Sequence, residues 1–432
     1  MSFDSAPISG RSALSRFLRS PVTLWVAFIA VHVVLGELAL VTGKAPLGDV
    51  TTAYQPWAAH AVQTGSFPGI QTPWVYPIGA LPAILAPLLA GEHGYVAGWL
   101  VLVLLFDAAA FAAVIHRRTR RRVAAAWWWL GFLLLLGPIA VSRLDALSVA
   151  LAVVGLVAVA SRPHLATVLL TIATWIKVWP AAILAAMVVS MRHRWRIIGL
   201  AALASAAIAA IAVALGSGPN VFSFIGTQAD RGLQIEAPIS AAWMWAAGLH
   251  RPGNYIYYDQ KILTFQVTGD GIGTAIAVMT PLLLLAVVAV LLTGIRAAAA
   301  GRSATDVLPT LSLALVTTTI AFNKVGSPQY VAWLAAPVII GLILRGKEFR
   351  TPAILVAATA ALTQIVYPVL YVYLLYADLA MITVLTLRNV LFFVILGWAM
   401  WALWTAGRTV EPGPGLRAGR PRQDRTEDRR RT

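Results

Sequence analysis

The run Gly48-Asp49-Val50-Thr51-Thr52-Ala53-Tyr54-Gln55-Pro56-Trp57 places a carboxylate shortly after the first apolar segment and just ahead of an aromatic amphipathic stretch. An acid there can lie at a membrane surface above a cavity. It can take the proton of a sugar hydroxyl as that hydroxyl attacks an anomeric carbon. Asp49 could equally serve as a helix N-cap or a loop carboxylate, and these residues alone leave both roles open.

Five further groups break the apolar pattern. Arg143-Leu144-Asp145 falls at a turn between two apolar spans. Either its charges pair locally, or Arg143 binds an anionic head group while Asp145 orients it or a neighbouring base. Lys177 is an ammonium inside an apolar segment and needs a counter-charge, which an internal acid such as Asp107 or a lipid phosphate could supply. Arg231-Gly232-Leu233-Gln234-Ile235-Glu236 gathers Arg231, Gln234 and Glu236 ahead of Trp243 and Trp245. That set suits a sugar or phosphate site with aromatic walls, or an interfacial helix with a tryptophan belt. Asn323-Lys324-Val325-Gly326-Ser327-Pro328-Gln329-Tyr330 is a short polar turn whose side chains and amides, Lys324 and Gln329 among them, could hold an anion or hydroxyls. Arg388 is the last such cation. His32 and Glu37 read as structural, and no cluster has the spacing of a metal site. The chain has no cysteine, which excludes disulfides and thiol chemistry.

The elements that carry these residues are membrane helices. Hydrophobic residues make up 59% of the 432, mean hydropathy is +0.79, and apolar runs of about 18 to 25 residues recur. Of the 33 Lys and Arg, 25 fall in alternate loops: Arg11 to Arg19, Arg117 to Arg122, Arg162, Arg192 to Arg196, Arg296 with Arg302, Arg345 to Arg350, and the tail from Arg408. The positive-inside rule puts those loops and both termini in the cytoplasm. The net charge of +16 therefore calls for anionic membrane lipids as partners and no nucleic acid.

The expected organisation is a cytoplasmic segment 1–20, one membrane domain 21–406 with outer loops 43–94 and 216–270, and a disordered basic cytoplasmic tail 407–432. Pro21 to Val41 reads as a retained first helix, and Tyr76 to Ala90 as an interfacial or re-entrant piece. Further spans are expected at 95–115, 123–141, 144–160, 196–215, 271–295, 307–322, 329–345, 351–374 and 389–406, with Ala377 to Leu387 interfacial. Leu165 to Met191 has arginines at both ends but only about 27 residues, where two crossings need about 40. It is expected to be a hairpin of two half-length helices with Lys177-Val178-Trp179-Pro180 at its tip. The fold class is thus an all-α polytopic membrane protein of about 12 membrane helices.

The order and sidedness of Asp49 with Tyr54, Tyr76-Pro77, Arg143 with Asp145, Lys177 before Pro180, Arg231 to Glu236, and Ser327-Pro328 with Trp333 resemble the GT-C superfamily of membrane glycosyltransferases, and within it glycosyltransferase family 87. The resemblance covers roughly residues 20 to 405. It implies an inverting transfer of a sugar, mannose first, from a polyprenyl phosphate to a lipid- or glycan-linked acceptor on the outer face of the cytoplasmic membrane, with no cofactor. It makes Asp49 the general base, Lys177, Arg143 and Arg388 binders of the donor phosphate, and Asp145, Tyr54, Arg231, Gln234, Glu236, Lys324 and Gln329 substrate contacts. Two departures stand out: Lys177 is three residues from Pro180 where a closer spacing is common, and Gln329 stands where mannosyltransferase-like members have a histidine.

Arabinofuranosyl transfer is the nearest alternative. A transporter or flippase of lipid-linked sugars is the competing class, and it would need a polar path to the inner face, whereas the unexplained polar residues belong to the outer half. An acyl or phospho-group transferase lacks an evident nucleophile.

Overall fold

The computed structural model describes residues 16–42, 44–229, 231–260 and 262–408. The expected tail from residue 409 onward and most of the N-terminal segment lie outside the described residues. Among those described, eight helical stretches are long and apolar enough to cross a membrane: Pro21–Val41, Tyr95–Ile115, Arg120–Ala140, Arg194–Ala214, Ile272–Ala299, Ala304–Ala321, Pro328–Val369 and Leu379–Ala406. The 42-residue stretch Pro328–Val369 reverses direction at Gly346, whose φ of 59° is open to glycine without steric cost.

Burial tells lipid-facing helices from core ones. Ile272–Ala299 and Arg194–Ala214 expose most of their apolar side chains, with Leu285 and Leu203 each 67% exposed. Water does not tolerate such continuous apolar faces on a monomer, and lipid does. Ala304–Ala321 and Asp145–Ala158 lie in the centre, mostly buried. Trp99, Trp129, Tyr95, Phe28 and Phe111 are the large fillers of the core around them.

The arginine-rich loops gather at one end and bind helix termini. Arg121 Nη1 donates to the carbonyl of Leu344 at 2.7 Å, Arg296 Nη1 to that of Trp404 at 2.9 Å, and Arg302 Nε to that of Ala406 at 2.9 Å. Each satisfies a carbonyl that the end of a helix leaves without an intrahelical partner.

The expected half-length hairpin is present as Pro163–Ile176 and Ala181–Ser190, of 14 and 10 residues, with Lys177 in extended conformation between them. The stretch 80–90 forms a short helix, Ala80–Leu85, continued by a 3-10 turn, Ala86–Ala90. The fold is mostly helical, consistent with an all-α membrane protein, and carries one two-stranded ribbon: Tyr255–Asp259 and Thr264–Thr268 pair antiparallel, Tyr257 opposite Gln266. Both strands are rich in aromatic and β-branched residues, which favour that pairing. The last helix starts at Leu379 rather than near 389, because Asp378 caps it by accepting from the Met381 N–H at 3.0 Å. The stretch read as interfacial, Ala377 to Leu387, therefore lies mostly within this helix.

Candidate functional site

A cavity of about 690 Å³ opens at the end of the helices opposite the arginine loops. Its walls come from seven places in the chain: Gly48 to Trp57, Val75 and Tyr76, the turn at Arg143, the turn at Lys177, the segment Thr227 to Phe265, and the turns at Ser327 to Tyr330 and Tyr367 to Tyr371.

Asp49 ends the helix Lys44–Asp49, immediately before a π-helical turn, Val50–Tyr54. Such turns re-aim side chains and recur at functional sites. The Asp49 carboxylate lies 3.1 Å from Arg143 Nε. The Asp49 side chain is 39% exposed, so screening holds the worth of this pair to about 0–1 kcal/mol. The carboxylate is thus held but not locked. The rest of the Arg143 guanidinium is fixed by the carbonyls of Pro46 and of Ser142 and, at 3.3 Å, by the Tyr367 hydroxyl. Tyr54 is buried beside them, its hydroxyl 3.5 Å from Asp49 Oδ2. Burial, foremost, raises the Tyr54 and Tyr76 phenols, so both remain neutral near pH 7.

Lys177 meets a different acid. Its Nζ is 3.3 Å from Asp145 Oδ2, in a pair whose side chains are only 16% and 2% exposed. Trp333 Nε1 donates to the other oxygen, Oδ1, at 2.6 Å. Nζ also lies 4.7 Å from the centre of the Tyr76 ring. Asp107, the internal acid considered as its partner, is instead bound to His32 Nε2 at 3.1 Å, and His32 Nδ1 lies 2.9 Å from the Phe28 carbonyl oxygen. Arg143 and Asp145 do not pair with each other: Arg143 turns to Asp49 at the cavity wall, and Asp145 turns to Lys177. Asp145 is buried behind Lys177 and is not part of the cavity surface.

The loop contributes Arg231, Gln234 and Glu236. Arg231 makes no ion pair with another described residue. Gln234 Oε1 accepts from the Gly326 N–H at 3.2 Å and from Ser327 Oγ at 3.1 Å, tying the loop to the turn that carries Gln329. A side chain at position 326 would come within 2.4 Å of Glu236 backbone atoms, so only glycine allows this approach. Glu236 Oε1 accepts from the Tyr371 hydroxyl at 2.6 Å. Burial raises the Glu236 carboxyl above its ordinary range, which Tyr371 and Arg388 offset only in part.

Among the expected site residues, Asp49, Arg143, Lys177, Arg231, Gln234, Glu236 and Gln329 share this one cavity. Arg388 stands behind it: it is buried, and its Nη2 donates to the main-chain carbonyl of Glu236 at 3.2 Å. Lys324 is also buried, and its carbonyl accepts from the Gln234 N–H at 3.1 Å. The sequence reading missed Tyr367, Tyr371 and the strand residues Thr264 and Phe265, all of which line the cavity. The two tyrosines sit at the end of an apolar span, four residues apart on either side of Val369, and this spacing was the available signal.

No curated protein and no solved structure matches the chain. Residues 74–268 match the sequence profile of glycosyltransferase family 87, a segment that supplies Tyr76, Arg143, Lys177, Arg231, Gln234 and Glu236 to the cavity. That match, over a polytopic helical fold, supports a glycosyltransferase similar to family 87.

Proposed function

We propose that the enzyme transfers a sugar, mannose in the first instance, from a polyprenyl phosphate to a hydroxyl of a lipid- or glycan-linked acceptor at the outer face of the cytoplasmic membrane, with inversion. The acceptor oxygen forms a bond to the anomeric carbon as the bond from that carbon to the phosphate oxygen breaks. Asp49 takes the hydroxyl proton, and the electron pair leaves with the phosphate. A phosphate monoester leaving group needs stabilising charge more than a proton, and Lys177, Arg143 and Arg231 line the same cavity to supply it. Arg388 acts from behind, holding the Glu236 segment.

The observation that carries this reading is the joint presence of Asp49 and these three cations on one cavity, at the end of the helices away from the arginine loops. Purified protein in proteoliposomes, offered a panel of polyprenyl-phosphate sugars, is expected to release polyprenyl phosphate from one of them. No release from any donor, with a lipid-linked acceptor present, sinks the reading. Gln329 at the cavity wall favours including an arabinofuranosyl donor in that panel, because a histidine is expected there in mannosyl-transferring relatives.

A further inference from the structure

We propose that Trp333 and Asp145 are positioning residues that aim the Lys177 ammonium into the cavity. The inference rests on the reading of Lys177 as the group that meets the donor phosphate. Lys177 is the one charged residue at the tip of the half-length hairpin, in extended backbone between two helix ends, so the local chain does little to fix its long side chain. Its direction must come from its neighbours. The shortest polar link to it runs from Trp333 Nε1 to Asp145 Oδ1 at 2.6 Å, and from Asp145 Oδ2 to Lys177 Nζ at 3.3 Å.

The far end of this link is itself held. The Trp333 ring is stacked between two others: Trp179 at 5.5 Å and 7°, and Tyr330 at 4.1 Å and 26°. Trp179 Nε1 donates to Ser148 Oγ at 2.9 Å, and Ser148 Oγ donates to the main-chain carbonyl of Asp145 at 2.8 Å. Indole, carboxylate and hydroxyl therefore close a ring of contacts around Asp145, which is 1% exposed. A carboxylate this deep, with one oxygen on an indole N–H, can offer only the other oxygen to the ammonium. On the cavity side, the Tyr76 and Tyr330 rings flank Nζ at 4.7 and 6.0 Å. An ammonium has three N–H groups. Asp145 holds Nζ on one side as an ion pair, and the aromatic flanks leave its remaining side facing the open cavity, where the phosphate oxygens develop charge.

Positioning and mere packing separate in a double-mutant cycle. Trp333→Phe keeps a stacked aromatic ring but removes the N–H. It is expected to lower turnover about tenfold, the scale of one charge-assisted hydrogen bond, with little change in the donor KM. The same change made on Lys177→Gln, which can still hydrogen-bond Asp145 but carries no charge, is expected to cost less than twofold. A tenfold cost in both backgrounds overturns the proposal, because a structural role does not depend on the charge at 177. Asp145→Asn supplies the second route should Trp333→Phe fail to fold: its cost should likewise vanish on Lys177→Gln, and an undiminished cost there overturns the proposal. If Lys177→Gln alone turns over normally, the phosphate role of Lys177 fails first and takes this inference with it.

Discussion

Arg143 Nε and Asp49 Oδ2 lie 3.1 Å apart, although one belongs to the first segment after the opening helix and the other to a turn between two later helices. The pairing aims the carboxylate without burying it, since Arg143 is the one fixed by backbone carbonyls and Asp49 remains partly open to the cavity. A base needs this combination of orientation and access.

Asp49→Asn is therefore expected to preserve the fold and donor binding while lowering turnover at least about 100-fold, the scale of a lost general base. Single-turnover measurements with saturating donor check it. Near-normal turnover would reassign Asp49 to holding Arg143.

Lys177→Met leaves the Asp145 carboxylate buried beside Trp333 with no cation, and is expected to destabilise the protein by about 3–5 kcal/mol. Adding Asp145→Asn should restore most of that stability but not the stabilisation by polyprenyl phosphate. Thermal-shift curves on the detergent-solubilised variants, with and without polyprenyl phosphate, read both effects. Recovery of the ligand-induced shift in the double variant would remove Lys177 from the phosphate site.

His32→Ala should strand Asp107 inside the helix bundle at a cost of about 1–3 kcal/mol, and His32→Ala with Asp107→Leu should recover it. Turnover per folded molecule is expected to be unchanged, since neither residue lines the cavity that holds Asp49 and Lys177. A drop in the turnover of folded His32→Ala protein would give this pair a functional role.

Glu236 provides a pH signature. Burial raises its carboxyl in the folded state, so the fold binds the proton more tightly than the unfolded chain does. Stability contributed by the neutral carboxyl is present below the ordinary Glu range and declines as pH rises through the raised value. Glu236→Gln should lose this decline and be more stable than the parent at pH 8, with the difference shrinking toward pH 4. A variant whose melting temperature tracks the parent at every pH contradicts it.

The absence of cysteine makes sidedness directly measurable with single introduced thiols. Cysteines at Glu92 and Asn254 are expected to react with an impermeant maleimide from outside intact cells, and those at Arg118 and Arg194 only after permeabilisation. Outside labelling at both arginine positions would invert the topology.

Much of this arrangement was legible because membrane helices announce themselves by length and hydropathy. Pro21–Val41 and Tyr95–Ile115 coincide with the expected spans, and a segment too short for two crossings gave away the hairpin at Lys177. Which charge meets which was not legible. Asp145 follows Arg143 by two positions yet serves Lys177, while Asp49 and Asp107 find their partners across the bundle. Pairing of this kind is set by helix packing, which hydropathy does not encode. The strand pair was hidden for a related reason: Tyr255 to Asp259 has the aromatic content of a membrane-interface belt, and only its partner at Thr264–Thr268 makes it a sheet. That Arg388 donates to the main chain of Glu236 was equally hidden, because a cation in an apolar helix does not announce its partner.

The half-length hairpin has an electrical consequence. Both its feet stand at the arginine end, and its charged tip stops at the cavity, so the charges exchanged in the proposed reaction all lie at one end of the molecule. A potential of 100 mV does about 2.3 kcal/mol of work on a unit charge carried across the whole membrane, and correspondingly little on one that never leaves its own leaflet. Turnover in proteoliposomes should therefore be indifferent to an imposed diffusion potential of either sign, so the enzyme would run at the same rate on an energised and on a collapsed membrane.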